Sequence, residues 1–303
     1  MFSENRTMKR KEFIQKAGLT LLGGIAASKL SAKDLTWSEL CNATFDPLDT
    51  NIGFNHLPNK KNINMENMVI HRANTRGHAD HGWLKANHSF SFANYHNPER
   101  MHFGVLRVLN DDYIEAGRGF GTHPHDNMEI ITIPLEGDLE HKDSMGNSGV
   151  IRHGDVQVMS AGKGIQHSEF NYNKDKPVKL FQIWLFPNKR NVEPRYDQVT
   201  FDPKGRDNQW QQILSPNADD AGVWIHQDAW FHLGDFDGGK TVEYSLKKSG
   251  NGMYLMLISG KASINGQDLE QRDALGVWDT DNLSIETSED SRFLMLEVPM
   301  QIS

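Results

Sequence analysis

The sequence predicts an all-β chain made of two similar units, each a barrel or a sandwich. Glycine is frequent, at 26 of 303 residues, and apolar stripes at helical spacing are rare. That combination belongs to short strands joined by tight turns. A strand–glycine turn–strand pattern in the first half also recurs in the second.

The first residues read as an address. A basic stretch at 8–16 (MKRKEFIQK) precedes a weakly apolar run at 17–28 and small residues up to Ala32. This is the three-part plan of a secretory signal, and the apolar run is too short to span a bilayer. Residues 10–14 (RKEFI) resemble the twin-arginine pattern, with Lys11 in place of the second arginine. Residues 1–32 therefore predict export to the periplasm, the alternative being a basic cytoplasmic N-terminus. Residues 33–67 are polar and patternless, and read as a linker or extended arm.

The first β unit is expected over 68–190. Runs at 106–109 (LRVL), 129–133 (EIITI), 156–159 (VQVM) and 179–186 (KLFQIWLF) are β-rich, and turn signals at 117–119 (GRG), 136–138 (EGD), 145–147 (MGN) and 153–155 (HGD) lie between or beside them. Pro187 stops the last run, since it lacks an N–H. A proline-containing polar segment at 187–219 leads into the second unit, expected over 191–303. There 253–264 (MYLMLISGKASI) echoes 129–140 (EIITIPLEGDLE), and Asn265-Gly266 predicts a type I′ hairpin because both positions tolerate positive φ.

Composition narrows the function. The chain is 37% hydrophobic and 24% charged, ordinary for a globular protein, and its mean hydropathy of -0.60 argues against a membrane span. A net charge of -8 offers nothing to a phosphate backbone, so no nucleic-acid partner is expected. The single cysteine, Cys41, allows neither an internal disulfide nor a thiolate cluster. No Gly-rich phosphate loop or Gly-x-Ser-x-Gly elbow appears. The 14 histidines are the better lead.

Two pairs stand out, His123 and His125 in GFGTHPHDNME (119–129), then His167 and Glu169 in AGKGIQHSE (161–169). Residues two apart on a strand share a face, so if the two strands face each other four donors converge. Three imidazoles and one carboxylate, with no thiolate, suit Fe(II), Mn(II), Ni(II), Cu(II), Co(II) or Zn(II), and an octahedral ion would keep two positions open. The other reading of such spacing is incidental histidines in strands. Glu129 lies four residues after His125, on the same face by strand counting. It reads either as an acid/base group near the centre or as a salt-bridged structural group. His71, His78, His81, His88, His96 and His102 fit no second site and read as structural or surface residues, while Trp184 and Phe186 read as core.

These stretches resemble a known family. GTHPH followed by a glutamate and a Glu-Gly turn resembles the first cupin motif, and HGDVQVMSAGKGIQHSE (153–169) resembles the second in the form particular to pirins, whose histidine comes five residues after Gly162. RGHADHGWL (76–84), HSFSFANY (88–95), QIWLFP (182–187) and LEVPM (296–300) are also similar to bacterial pirins. The resemblance spans about Met68 to Met300 and implies a bicupin, two tandem jelly-roll-like barrels. It implies one divalent metal, with iron as Fe(II) favoured, held by His123, His125, His167 and Glu169. Glu129 and Glu169 are the candidate acid/base residues. Some bacterial pirins open flavonols such as quercetin with dioxygen, whereas human pirin is a nuclear transcriptional co-regulator. The expected function is thus a metal-dependent dioxygenase of a small phenolic substrate. The alternative is a non-enzymatic metal-binding or redox-sensing protein with a protein partner. Aligning Glu136-Gly137 with Ser259-Gly260 places Leu246 and Lys248 opposite His123 and His125, and Ile285 and Thr287 where His-x-Glu would stand. The second barrel is expected to lack ligands.

Overall fold

The computed structural model describes residues 67–302, and the predicted leader at 1–32 and the arm before Asn67 lie outside them. Among the described residues there is no α-helix, only two 3-10 turns, Ala73–Thr75 and Pro203–Arg206. Among these described residues no helix is long and apolar enough to cross a membrane.

Two pairs of sheets repeat one plan. In the first barrel a seven-stranded sheet runs Arg195–Thr200, Asp155–Ser160, Glu129–Glu136, Val178–Leu185, Leu106–Ile114, Leu84–His88 and Gly77–Asp80. It faces a four-stranded sheet of Gly119–His125, Ile165–Asn171, Leu139–Asp143 and Ser148–Ile151. The second barrel matches it with Met68–His71, Ala274–Val277, Asn251–Ser259, Ser291–Pro299, Trp230–Phe236, Gln211–Ser215 and Val223–Trp224, opposed by Thr241–Ser245, Asn282–Thr287, Ala262–Ile264 and Gln267–Leu269. The all-β duplication expected from sequence is a bicupin. The predicted hairpin forms too, Asn265 and Gly266 having φ of 52° and 73°.

The edge strands depart from the expected boundaries. Met68–His71 pairs with Ala274–Val277 in the second barrel, and Arg195–Thr200 pairs with Asp155–Ser160 in the first. Each strand lies across the boundary from its own sequence unit, because pairing at an edge is decided by a non-local partner.

Packing explains what each barrel does with its interior. The largest apolar cluster joins the two seven-stranded sheets, with Ile131, Val158 and Phe181 on one side and Phe231, Tyr254 and Leu296 on the other. The second barrel is filled by one cluster that includes Val242, Tyr244, Leu283 and Ile285. The first barrel instead has two smaller clusters, one around Leu84, Phe120 and Leu180, the other around Ile130, Ile165 and Trp184. Polar side chains separate them, His123, His167 and Glu169 among the buried ones.

Strand register places the lost ligands of the second barrel. Leu139 pairs with Asn171 two residues after Gly137, as Ala262 pairs with Thr287 two residues after Gly260, so Leu283 and Ile285 stand where His167 and Glu169 do. His123 pairs with His167 and Phe120 with Glu169, as Tyr244 pairs with Leu283 and Val242 with Ile285. Val242 therefore stands where Phe120 does and Tyr244 where His123 does, two residues before the expected Leu246. The connection that follows is longer, running from Ser245 to Asn251 instead of from His125 to Glu129, so counting back from the glycine turn overshoots the strand. The positions of His-x-Glu are likewise two residues earlier than expected, at Leu283 and Ile285 instead of Ile285 and Thr287.

One glycine guards the loop before the second motif. Gly162 has φ of +50°, and a Cβ there would lie 2.1 Å from the carbonyl oxygen of Val192. Gly162→Ala is expected to destabilise the protein by about 2 kcal/mol, from positive φ plus a backbone clash, as read from urea unfolding midpoints.

Candidate metal centre

The centre is built on the inner face of the four-stranded sheet. Strand Gly119–His125 carries a bulge opposite His167–Glu169, so Phe120 pairs with Glu169 and His123 with His167. The extra residue re-aims the chain, and Phe120 and His123, three apart, are both buried. The bulge carbonyl of Gly121 accepts a hydrogen bond from His123 Nδ1 at 2.7 Å. That bond fixes the tautomer and leaves Nε2 as the electron-pair donor, the usual preparation of a histidine ligand.

His123, His125 and His167 converge. Their ring centroids are 4.4–4.9 Å apart, and one donor atom from each lies within 4.8 Å of the others. Glu169 belongs to an overlapping group with His167 and His141, all three buried. Its carboxylate accepts from Gln182 Nε2 at 3.0 Å and lies 3.4 Å from Thr132 Oγ1. Trp184 walls the open side, its ring 4.9 Å from that of His125 at 81°. Trp184 is thus core, as expected, and also a boundary of the centre.

Electrostatics favours uncharged donors. Burial, with His123 beside it, lowers His125 to about 3, and burial pushes His167 far below the ordinary imidazole range. Burial raises Glu169 to about 7, opposed by its bonds from Gln182 and Thr132. Neutral imidazole is the form that binds metal. Both ring nitrogens of His167 and the Nδ1 of His141 are buried without a hydrogen-bond partner among the described residues. Such groups cost free energy unless satisfied, and a cation satisfies a lone pair. The residues fit a divalent ion.

Glu129 is elsewhere. Its side chain is buried and accepts from Ser160 Oγ at 2.7 Å. It alternates with Ile131 and Ile133, which pack between the barrels, whereas Ile130 and Thr132 face the centre. The count from His125 fails because the two residues are on different sheets, separated by a turn in which Asn127 has φ of 46°. An acid/base role near the centre is not what this position serves.

Sequence reasoning missed His141, Gln182, Thr132 and Asp112. Asp112 is fully buried near Glu169, and burial raises its carboxyl well above the usual range. Only His141 left a readable signal, since His141 and Asp143 repeat the two-residue spacing. The remaining histidines are structural as read. His71 bonds Tyr254 Oη, His88 bonds Asn110 Oδ1 and His102 bonds the Gly104 carbonyl, each at 2.8 Å, while His81 and His96 are exposed.

Two tandem cupin barrels, with a histidine cluster in the first and, among the described residues, no such cluster in the second, define a bicupin with one candidate metal centre. Residues 69–185 match the family profile described as Pirin, and 212–298 match the quercetinase C-terminal cupin domain. The chain belongs to the pirin family. It is 43% identical over 237 residues to the quercetin 2,3-dioxygenase of Escherichia coli (strain K12), covering 77% of this chain and 99% of that relative. It is 41% identical over 223 residues to a pirin-like protein of Caulobacter vibrioides, covering 73% and 95%. Among solved structures, the bacterial pirin YhhW from Escherichia coli in complex with nickel(II) superposes with a TM-score of 0.72 at 41% identity, over 77% of this chain and 99% of that one.

Proposed function

We propose that this protein is a metal-dependent dioxygenase that opens flavonol-like phenols such as quercetin, with Fe(II) held by His123, His125, His167 and Glu169. The observation that carries the reading is the convergence of three imidazoles, two of them buried, beside a buried carboxylate, with both nitrogens of His167 unsatisfied. The relatives named for quercetin dioxygenation and the nickel(II) complex of a pirin support it.

A divalent ion at this site supplies a Lewis acid with coordination positions left for a phenolate and for dioxygen. The chain supplies the rest. Glu169 is the buried carboxylate placed to accept a phenolic proton. Gln182 and Thr132 hold that carboxylate in place. His125 is the least buried of the three imidazoles, so the phenol approaches from its side, where Trp184 and Phe92 meet edge-to-face at 5.3 Å and offer an aromatic wall. Export to the periplasm belongs to the same proposal and rests on residues 1–32 alone.

The test is anaerobic loading with Fe(II), followed by quercetin and measurement of dissolved oxygen. Stoichiometric metal and oxygen consumed in step with quercetin are expected. Bound metal without oxygen uptake for Fe, Mn, Ni, Cu, Co or Zn would return the protein to a binding or sensing role.

A further inference from the structure

We propose that His141 is a positioning residue of the centre, its Nδ1 accepting the N–H that His167 turns away from the cation while its own Nε2–H is held by Asp143. The inference rests on reading the centre as a metal site and adds to it an Asp143–His141–His167 chain.

Register brings these groups together. Strand Leu139–Asp143 lies beside Ile165–Asn171, with Glu169 opposite His141 and His167 opposite Asp143. Cross-strand partners share one face of a sheet. His141 Nε2 lies 3.3 Å from Asp143 Oδ2, and the two side chains are 1% and 0% exposed. Asp143 is fixed by its own turn, accepting from the Met145 N–H at 2.9 Å, the Asn147 N–H at 3.0 Å and Asn147 Nδ2 at 2.9 Å. A carboxylate held by donors acts as an acceptor, so the His141 proton sits on Nε2 and Nδ1 is left with a lone pair.

That lone pair has no partner among the described residues, and neither has either nitrogen of His167. The two rings are 5.4 Å apart at 49°, with donor atoms within 4.8 Å. If one His167 nitrogen takes the cation, the other must carry the proton. It then becomes a buried donor in need of an acceptor, beside a buried acceptor in need of a donor. A hydrogen bond between the two satisfies both. Metal-bound histidines generally donate their second N–H to an oriented acceptor. Tyr196 packs against His141 at 4.8 Å and limits where its ring can turn.

Two variants and two measurements test this. Nickel(II) affinity is measured by chelator competition for wild type, His141→Phe and His141→Asn, the last placing an amide oxygen near the Nδ1 position. Copper(II) electron paramagnetic resonance counts the coordinated nitrogens. The phenylalanine variant is expected to bind nickel about 10–100-fold more weakly, with asparagine recovering most of the loss. The number of coordinated nitrogens should stay unchanged in both. Unchanged nickel affinity in His141→Phe would overturn the proposal, as would loss of one coordinated nitrogen, which would make His141 a ligand. Should the phenylalanine variant not fold, His141→Leu carries the same comparison. Wild-type protein that takes up no nickel would overturn the metal reading itself, a different outcome from a wild type that binds and variants that match it.

Discussion

Replacing His167 with leucine will weaken nickel binding by about 100-fold while raising the melting temperature of the metal-free protein. The two halves of that result have one cause. His167 is 2% exposed, and both its ring nitrogens are buried without partners. Each orphaned buried polar group costs about 1–3 kcal/mol. Leucine removes both and fits between the two apolar clusters that the polar centre now separates. The second barrel shows the outcome, since Leu283 occupies the equivalent place within its apolar cluster. Against this, a four-donor site worth about 10–16 kcal/mol loses roughly 3 kcal/mol with one ligand, or on the order of a 100-fold weaker affinity. Calorimetric melting of metal-free protein and nickel titration check the two halves separately. A variant that still binds nickel with wild-type affinity would falsify the ligand assignment. A melting temperature below wild type would show that the orphaned nitrogens are satisfied in solution.

How far the sequence reached follows from the range of each signal. The pairs His123/His125 and His167/Glu169 were readable because two-residue parity within one strand is local. Glu129 was misplaced because parity does not survive a turn, here the one around Asn127 with φ of 46°. The bulge at Gly121 was invisible for the same reason, although it re-aims His123. The exchanged edge strands, Met68–His71 and Arg195–Thr200, depend on partners far along the chain, which no local pattern encodes. His141 carried a legible spacing with Asp143, but its meaning appears only when Glu169 and His167 are found opposite. Thr132 and Gln182 sit in ordinary β-rich runs, where nothing in sequence separates a residue facing Glu169 from one facing the other barrel.

Glu129→Gln is expected to stabilise the protein near neutral pH and to flatten its stability against pH. Glu129 is 0% exposed, and burial raises its carboxyl to about 7, with the Ser160 hydroxyl and the charge of Arg195 opposing. The folded chain therefore holds this proton more tightly than the unfolded chain, whose carboxyl titrates near 4.5. Stability from this group is fully present below the unfolded value and is lost as pH rises through about 7. A rise from 4.5 to about 7 corresponds to roughly 3 kcal/mol across that window. Glutamine keeps an acceptor for Ser160 and never ionises, so in urea unfolding at about pH 8 it should exceed wild type by about 2 kcal/mol, after the cost of one new buried amide donor. At about pH 5 the difference should vanish or reverse. Other buried groups titrate in the same range, Glu169 among them, but they are common to both proteins and drop out of the difference. Parallel stability curves for wild type and variant would mean that Glu129 stays ionised in the folded protein, with Arg195 outweighing burial. The predicted convergence at low pH would instead place a neutral carboxyl between the barrels, which is what its apolar neighbours Ile131 and Ile133 require.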